Sequence, residues 1–403
     1  MSINAASLAV VLIPLSATCA GVKPSFVIAD RIYAVPGVEC RISYGRVFDS
    51  YTPWNYLLEA HSGYGMADAT EWTFTPGEEM AGKSFPVVLN AWSDEHGLIA
   101  SATTQVMVAS RPTNVQKSRK ITLALLAASD TNCLYQDRIR ERMLEAGFSA
   151  YTPVGSHTGG SSSPVCDPAS GAPHDGYGGF SWEAFLTRYS MTVDEIDNVH
   201  AQAEKEQLRS FGVKLESGNK WRKVLLKSPL VKIRNGEKVV DIQAWFDKIN
   251  GGKTPDYTLI KLGGNNVWEM RHDYRTYRID RELENARKLV GLLRRAAPDM
   301  TIVLVSFMGG SFDQHGWARN YGSKQNCFIA HGNFLEYNRR IKALCEESGD
   351  PRLKYAQVSQ GLSLEGVYPE GEKANALHLT LDGGKQLGDA IFAWLVNDIA
   401  SGK

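Results

Sequence analysis

The chain has 403 residues, with 44 Lys and Arg against 44 Asp and Glu, so its formal net charge at neutral pH is zero. Hydrophobic residues make up 43% of the sequence and charged residues 22%, which is typical of globular proteins and excludes a largely disordered chain. Charge neutrality argues against a broad nucleic-acid or membrane-surface interface, and no apolar run reaches the roughly 20 residues of a membrane-spanning helix. Because one hydrophobic core usually stops growing near about 250–300 residues, the length predicts two or three domains.

The first residues partly match a secretory signal. Residues 7–20 form a short apolar run that ends in small residues, before the first positive charge at Lys23. Such a run is typical of a signal segment and its cleavage site, although here no Lys or Arg precedes it. We therefore expect residues 1–22 to be a signal segment and the mature protein to be secreted or periplasmic. A buried N-terminal strand is the alternative.

The cysteines leave the redox compartment open. Six are present without a Cys-x-x-Cys pair, which disfavours zinc-ribbon and thioredoxin-like sites. If Cys19 is removed with a signal segment, five remain and at least one thiol is unpaired. The pattern does not determine any disulfide pairing.

The region from about Pro24 to Ser110 has the pattern of an all-β domain. Short runs of alternating apolar and polar residues are separated by Gly, Pro, Asp and Asn, and helical periodicity is absent. This pattern predicts a small antiparallel β-sandwich of immunoglobulin-like size over residues 23–112. The polar segment 111–119 is expected to be a linker.

The rest of the chain alternates between predicted strands and helices. Residues 121–128 are a continuous apolar run, as expected for a strand buried on both faces of a parallel sheet. Further strands are predicted at 257–262, 301–306 and 354–358, and helices at 135–146, 279–296, 333–348 and 382–399. The alternation predicts a doubly wound α/β domain over residues 118–403, with helices on both faces of the sheet.

Three polar positions lie where such a sheet binds its ligands, just beyond the carboxyl ends of the strands or in a loop that can reach them. Ser129 follows the first strand, Asn265 lies in a Gly-Gly-Asn-Asn turn after the next strand, and His378 precedes the last helix. A hydroxyl, an amide donor and a histidine together are the parts of an acyl-transfer site.

Each position also has a structural interpretation. Ser129 would then cap its helix, Asn265 and Asn266 would occupy left-handed turn positions, and His378 would be a packed loop histidine. A phosphate-dependent or nucleotide enzyme is disfavoured, because neither G-x-x-x-x-G-K-[ST] nor G-x-G-x-x-G follows the first strand.

Four segments of the chain resemble the sequence blocks of SGNH (GDSL-type) hydrolases. Those proteins are serine esterases with a flavodoxin-like three-layer α/β/α fold. Residues 174–182 (HDGYGGFSW) in particular are similar to the H-E-G-x-G-G-W-T motif of bacterial polysaccharide-associated members, some of which carry an N-terminal β-sandwich. The matching segments are 127–129 for block one, 174–182 for block two, 263–266 for block three and 375–379 for block five.

The resemblance implies a role for each matched residue. Ser129 matches the nucleophile and His378 the base, while the Gly179 N–H and the Asn265 side chain match the oxyanion-hole donors. An acylated glycan or a small ester is the implied substrate, without a nucleic acid partner. No metal or organic cofactor is implied, and the oligomeric state is left open.

The sequence departs from the family pattern at several positions. The Gly-Asp pair of block one is replaced by Ala127-Ala128, and the Asp of block three by Asn266. The Asp that normally orients the base is replaced by Asn375, and an amide can hold an imidazole in place but supplies no charge. Carboxylates elsewhere that are candidates for the missing charge are Asp382, Glu372 and Asp313.

Two functional hypotheses follow. The first is an exported carboxylic-ester hydrolase that deacetylates a carbohydrate through a Ser-His acyl-enzyme mechanism. The second is a catalytically degenerate glycan-binding protein of the same fold. Aromatic side chains could stack on sugars under either hypothesis or simply pack in the core: Tyr177, Phe180, Trp182, Trp268 and Trp317.

Two further segments carry expectations about the surroundings of the site. The Gly/Ser-rich segment 155–163 is expected to be a mobile surface loop beside the cleft. The charged helical pattern at 192–210 is expected to belong to an insertion that covers one side of the site.

Overall fold

A computed structural model describes residues 23–50, 52–161, 163–165, 171–188, 228–268, 275–322 and 325–402. The expected signal segment at 1–22 and the helical insertion at 192–210 lie outside these residues. Within the described ranges, no helix is long and apolar enough to cross a membrane.

The chain begins with strands and then alternates between strands and helices. The strands are β1 (Ser25–Phe26), β2 (Arg31–Ala34), β3 (Cys40–Ser43), β4 (Phe48–Asp49), β5 (Leu57–His61), β6 (Met66–Ala67), β7 (Glu71–Phe74), β8 (Ser84–Ser93), β9 (Gly97–Val108), β10 (Ile121–Ala127), β11 (Tyr151–Val154), β12 (Thr158–Gly160), β13 (Ser163–Val165), β14 (Asp175–Gly176), β15 (Val231–Arg234), β16 (Glu237–Val240), β17 (Tyr257–Lys261), β18 (Thr301–Val305) and β19 (Leu353–Ala356). The helices are α1 (Asn114–Ser118), α2 (Tyr135–Glu145), α3 (Trp182–Thr187), α4 (Ile242–Asn250), α5 (Gly264–Val267), α6 (Arg275–Ala296), α7 (Gln314–Tyr321), α8 (Cys327–Glu347) and α9 (Leu381–Ala400).

The central sheet is parallel and has the order β11-β10-β17-β18-β19. In chain order these are the second, first, third, fourth and fifth strands, which is one of the two common arrangements of doubly wound sheets. The short strand β14 also pairs in parallel with β10, near the carboxyl end of that strand. The predicted α/β architecture with a parallel sheet is confirmed.

Helices cover both faces of this sheet because its strands are apolar on both sides. Along β10, Ala124 and Leu126 belong to a cluster that includes α6 and α8, whereas Leu123 and Leu125 belong to a second cluster that includes α2 and α9. All seven residues of β10 are buried. A continuous apolar run was therefore a correct indicator of a strand with two covered faces.

The main disagreement in helix bounds concerns α8, which begins at Cys327 rather than near residue 333. Asn326 caps the helix, since its side chain accepts hydrogen bonds from the N–H groups of Phe328 and Ile329. Asn333, the predicted first residue, is a buried residue inside the helix. Similarly, α6 begins at Arg275 rather than at 279.

The N-terminal region is built from strands around a hydrophobic cluster of its own. A four-stranded sheet has the order β2-β9-β8-β5, and a three-stranded sheet has the order β3-β7-β6. One pair, β2 with β9, is parallel, which differs from the all-antiparallel expectation because β2 joins the free edge of the β8–β9 hairpin. The immunoglobulin-like sandwich and its limits at 23–112 stay predictions.

The expected linker contains a short, docked helix. Thr113 and Gln116 form a reciprocal capping box at the start of α1. The Gln116 side chain also donates to the carbonyls of Ile399, at 3.2 Å, and Ala400, at the end of α9. The segment 111–119 is therefore tied to the C-terminal helix and is not a free connection.

Candidate active site

Ser129 lies immediately beyond the carboxyl end of β10. Residues Ser129–Cys133 form a 3₁₀ turn, Leu134 takes a left-handed conformation with φ 58°, and α2 starts one residue later. The Ser129 hydroxyl lies 2.9 Å from Nε2 of His378. The structural alternative is wrong, since Ser129 does not cap α2 and its side chain contacts the predicted base.

His378 is oriented by Asn375 on its own loop. The Asn375 Oδ1 atom accepts the backbone N–H groups of Leu377, at 3.0 Å, and His378, at 2.9 Å, and lies 3.2 Å from Nδ1 of the His378 ring. Two N–H donors identify this amide atom as the oxygen, so Nδ1 must carry the ring proton. The free lone pair of Nε2 then points at the Ser129 hydroxyl.

The surroundings of His378 favour a neutral imidazole. Burial lowers the pKa of His378 below its ordinary value, and the negative charge of Asp130 partly opposes this by raising the pKa. A neutral ring can accept a proton, and a half-buried Ser129 remains accessible to a substrate.

Backbone pairing brings the second sequence block close to Ser129. Through β14, Asp175 and Gly176 lie opposite Leu126 and Ala127 of β10, and the N–H of Tyr177 donates to the Ala127 carbonyl at 3.1 Å. The turn that follows exposes Gly179, whose φ of 72° is in the left-handed region that favours glycine. The Gly179 backbone therefore lies near the carboxyl end of β10.

Asp175 holds residues 174–182 in place through side-chain hydrogen bonds. Its buried carboxylate accepts the Tyr177 hydroxyl at 2.6 Å and the Trp245 indole N–H at 2.9 Å. Both carboxylate oxygens are therefore occupied by neighbouring side chains. The acidic residue of the H-D-G segment has a positioning role in the structure.

The third block forms a tight turn after β17. Gly263 has φ 99°, and a Cβ atom at this position would lie 2.2 Å from the Tyr337 hydroxyl, so only glycine fits. Asn265, in the short helix α5, donates from Nδ2 to the Phe180 carbonyl at 2.8 Å. An amide nitrogen carries two hydrogens, and this contact uses one of them. The loops of the two predicted oxyanion donors are thereby joined.

Neither asparagine of block three occupies a left-handed turn position. Within the described ranges, the non-glycine residues with positive φ are Leu134 and Asn235. Asn266 instead donates to Glu282 of α6 at 2.6 Å, and burial raises the pKa of this carboxyl to about 7. The contact anchors α5 to a long helix.

The loop of residues 374–379, which carries His378 and is called the base loop below, is held by its neighbours on two sides. The Ser311 N–H donates to the Ala376 carbonyl at 2.8 Å, and the Asn320 side chain donates to the Ala374 carbonyl at 2.6 Å. The preceding residue, Gly310, is held by Arg46 of the N-terminal region, whose guanidinium group donates to the Gly310 carbonyl at 2.6 Å. A side chain far away in sequence therefore supports the loop that carries His378.

The three carboxylates proposed as substitutes for the missing charge are engaged elsewhere. Asp382 is mostly exposed and pairs with Lys385 at 3.0 Å. Asp313 caps α7 by accepting the N–H groups at 315 and 316. Glu372 is an exposed residue in a 3₁₀ turn. The sequence-based candidates for this role do not contact the base.

Sequence reasoning missed a buried ion pair beside Ser129. Asp130 directly follows Ser129, and its Oδ2 atom lies 2.7 Å from Nζ of Lys261, at the end of β17. These side chains are 4% and 0% exposed. A lysine near the end of an apolar strand was the available signal, because a buried ammonium group requires an anionic partner.

The aromatic candidates pack mainly in the core. Tyr177, Phe180, Trp182 and Trp317 are buried, and Trp268 is half-buried against Trp317 and Tyr321. The segment 155–163 also differs from the expected loose loop. Its described part pairs β12 with β13, and its His157 backbone exchanges hydrogen bonds with His174.

The described residues contain no group of three or more His, Cys, Asp or Glu side chains arranged to hold a metal ion. The cysteines at 40, 133, 327 and 345 are buried free thiols, while Cys19 and Cys166 lie outside the described ranges.

Neither family models nor curated proteins match the sequence. Among solved structures, a family 3 carbohydrate esterase from Clostridium thermocellum is similar, with 13% identity, a TM-score of 0.40 and coverage of 70% of this chain and 98% of the other. A family 3 carbohydrate esterase from Talaromyces cellulolyticus has 14% identity, a TM-score of 0.40 and coverage of 70% and 99%. A family two carbohydrate esterase from Clostridium thermocellum, in complex with cellohexaose, has 11% identity, a TM-score of 0.33 and coverage of 91% and 94%. At such identities and TM-scores the similarity supports no conclusion about the activity of this chain.

Proposed function

We propose that this chain is a serine ester hydrolase in which Ser129 is the nucleophile and His378 the general base. One observation carries the proposal: the hydrogen-bonded line from the Ser129 hydroxyl to Nε2 of His378, at 2.9 Å, and from Nδ1 to Asn375, at 3.2 Å. A hydroxyl, a base and a group that orients the base, in this order and within hydrogen-bond reach, are the requirements for an activated nucleophile.

In the first half of the proposed reaction, the Ser129 oxygen attacks the carbonyl carbon of the ester, and its proton moves to Nε2 of His378. The resulting tetrahedral oxyanion accepts hydrogen bonds from the Gly179 N–H and the Asn265 side-chain amide. When the ester C–O bond breaks, His378 returns the proton to the departing alkoxide oxygen. An acyl group remains on Ser129.

In the second half, water takes the place of the alcohol. His378 removes a proton from the water as it attacks the acyl carbon, and then protonates Ser129 as the acyl–oxygen bond breaks. The products are a free carboxylic acid and the regenerated hydroxyl. Every step uses groups of this chain and water, without a cofactor.

We further propose an acetylated carbohydrate as substrate and an extracellular or periplasmic location. The support is the resemblance of residues 174–182 to polysaccharide-associated SGNH hydrolases and the apolar run at 7–20. The half-buried Ser129 and the exposed Gly179 turn suit a shallow site that admits an acyl group on a bulky polymer.

The test is hydrolysis of p-nitrophenyl acetate and of acetylated polysaccharide by the wild type, Ser129→Ala and a control variant, Ser181→Ala. Ser181 caps α3, so its replacement removes a hydroxyl without touching the Ser129–His378 pair. Activity that is lost in Ser129→Ala and kept in Ser181→Ala is expected. Equal activity in the wild type and Ser129→Ala would overturn the proposal.

Non-catalytic glycan binding has no observation of its own in its favour. Four of the five aromatic side chains considered for sugar stacking are buried in the core. Saturable binding of polysaccharide without any Ser129-dependent turnover would nevertheless replace the hydrolase proposal.

A further inference from the structure

The proposed base has an orienting group without a negative charge. When His378 takes the proton from Ser129 it becomes an imidazolium ion, which a carboxylate normally stabilises in serine hydrolases. Here the Asn375 oxygen accepts three N–H groups, which fixes the ring but leaves the new positive charge unmatched. An anionic group elsewhere near the ring would complete the site.

Asp130 is a charged group in the 3₁₀ turn Ser129–Cys133, called the nucleophile turn below. One carboxylate oxygen accepts the Ala128 N–H at 3.2 Å, and the other lies 2.7 Å from the Lys261 ammonium. The register of β10 and β17 produces this pairing, because Ala127 lies opposite Lys261. The carboxylate is therefore held on both oxygens, one residue away from Ser129.

Lys261 is the positive partner of this carboxylate inside the protein. A buried charge is costly unless an opposite charge lies beside it. The Lys261 ammonium also lies 4.3 Å from the centre of the Phe307 ring, whose face favours a cation. The pair is therefore supported from both sides of the lysine.

The charge of Asp130 acts on His378. The residue next to Asp130 holds its hydroxyl 2.9 Å from Nε2 of the ring, and the Asp130 charge raises the pKa of His378 against the effect of burial. The other nearby carboxylates face different partners: Asp313 caps α7, and Asp382 pairs with Lys385.

We propose that Asp130, held in place by Lys261, supplies the negative charge that stabilises the protonated His378 ring in the reaction. The carboxylate would thus have moved from the base loop to the nucleophile turn, while Asn375 retains the orienting function. Asp130 is a positioning residue that acts through His378 and does not touch the substrate. The inference rests on the proposed function of Ser129 and His378.

The decisive variant is Asp130→Asn/Lys261→Met, which removes both charges and leaves no unpaired ion in the core. We expect it to fold and to lose roughly tenfold to a hundredfold in kcat, because one pKa unit of lost stabilisation corresponds to tenfold. The acid limb of its kcat/KM profile should move to lower pH. Adding Asn375→Asp should restore much of the rate and move the limb back, because it returns a carboxylate to the ring.

Lys354→Met/Asp398→Asn serves as the matched control. It removes another partly buried ion pair, on the far edge strand β19 and the C-terminal helix. We expect its acid limb to coincide with that of the wild type. An Asp130→Asn/Lys261→Met variant that is folded, with kcat and acid limb both unchanged, would overturn the proposal.

A measurement without substrate separates this proposal from the esterase proposal. The pKa of His378 can be measured by NMR in Ser129→Ala protein, with the His378 signal assigned by its loss in His378→Asn. Removing the Asp130–Lys261 charges should lower this pKa whether or not the wild type hydrolyses esters. An unchanged pKa would overturn the inference even in an active enzyme.

Discussion

The two halves of the candidate site are held in different ways. The nucleophile turn rests on a buried ion pair, Asp130 with Lys261, inside the parallel sheet. The base loop rests on neutral groups, namely the amides of Asn375 and Asn320 and the backbone of Ser311. Charged side chains thus contact the nucleophile turn directly, whereas the direct contacts of the base loop are hydrogen bonds between neutral groups.

This difference separates two tasks that one carboxylate performs in an ordinary Ser-His-Asp triad. That carboxylate fixes the imidazole tautomer and also stabilises the imidazolium ion. Here Asn375 has the contacts for the first task, and Asp130 has the charge for the second. If the two tasks are separate, variants on the two sides should fail in different ways.

The largest kinetic effect is expected on the base side. Asn375→Ala removes the group that holds the Nδ1–H tautomer, and we expect kcat to fall about 10²–10⁴-fold with a small change in stability. Asn320→Ala is the matched control, because it removes the side-chain contacts to the Ala374 and Gly316 carbonyls and leaves the ring untouched. Its kcat should fall less than about tenfold. Similar kcat values for the two variants would contradict an orienting role of Asn375.

The nucleophile side should show the larger effect on stability. Lys261→Met leaves the Asp130 carboxylate buried without its partner, and we expect the free energy of unfolding in urea to fall by about 3–5 kcal/mol. Lys354→Met, which removes a more exposed lysine of β19, should cost about 1 kcal/mol or less. Equal losses in the two proteins would mean that burial of the Asp130–Lys261 pair does not increase its contribution to the free energy of unfolding.

The N-terminal region should influence the base loop, through Arg46, and not the nucleophile turn. The buried Arg46 side chain donates to the carbonyls of Gly310, at 2.6 Å, and Ser363, at 3.1 Å, and Ser311 then contacts the base loop. We expect Arg46→Met to lower kcat about tenfold with little change in KM, because His378 would be less well aligned. A tenfold loss in rate corresponds to a loss of transition-state stabilisation equal in free energy to about one pKa unit. Arg46→Lys should recover part of the loss.

A control for Arg46 is available in the same N-terminal region. Asp49 is buried and pairs with Arg339 of α8 at 3.2 Å, away from the base loop. Asp49→Asn should lower stability and leave kcat unchanged. If Asp49→Asn lowers kcat as much as Arg46→Met does, then the whole interface and not the Arg46 path supports the site.

Much of the α/β architecture follows from local pattern. The apolar run of β10 and the helical periodicity of α2 and α9 are set by neighbours in sequence, and the structure has these elements within a residue or two of their predicted bounds. Ser129 and Asn265 are predicted because ligand groups follow the carboxyl ends of parallel strands, and His378 because it lies in the loop before the last helix. These inferences require no knowledge of distant contacts.

The supporting groups depend on register and on long-range contacts, which local pattern does not contain. Asp130 meets Lys261 because Ala127 lies opposite Lys261 in the sheet, and Arg46 reaches Gly310 across 264 residues of sequence. For the same reason segment 155–163 was wrongly expected to be a loose loop. Its Gly and Ser residues suggest a loop, but His157 pairs with His174, and only the folded chain brings these two residues together.

The smallest effect concerns this histidine pair, which differs from His378 in being buried and structural. His174 accepts the Gly176 N–H at Nδ1, at 2.9 Å, and contacts the Gly159 carbonyl through Nε2, and burial lowers its pKa to about 3. Between about pH 6.5 and 3 the unfolded chain therefore binds a proton that the native chain does not. Stability should fall with falling pH in that range, by on the order of 1 kcal/mol per pH unit, and show no contribution from His174 above it.

His174→Gln offers a donor and an acceptor without a titrating ring, so its stability should depend less on pH by about one proton. The measurement is urea unfolding of both proteins at pH 7, 6 and 5. Glu282, whose pKa is raised to about 7 by burial, acts in the opposite direction, but it is common to both proteins and cancels in the difference. Identical pH slopes would assign the acid sensitivity to other groups. A reduced slope with unchanged Ser129-dependent kcat at pH 7 would show that the buried pair contributes to acid stability and not to the proposed reaction.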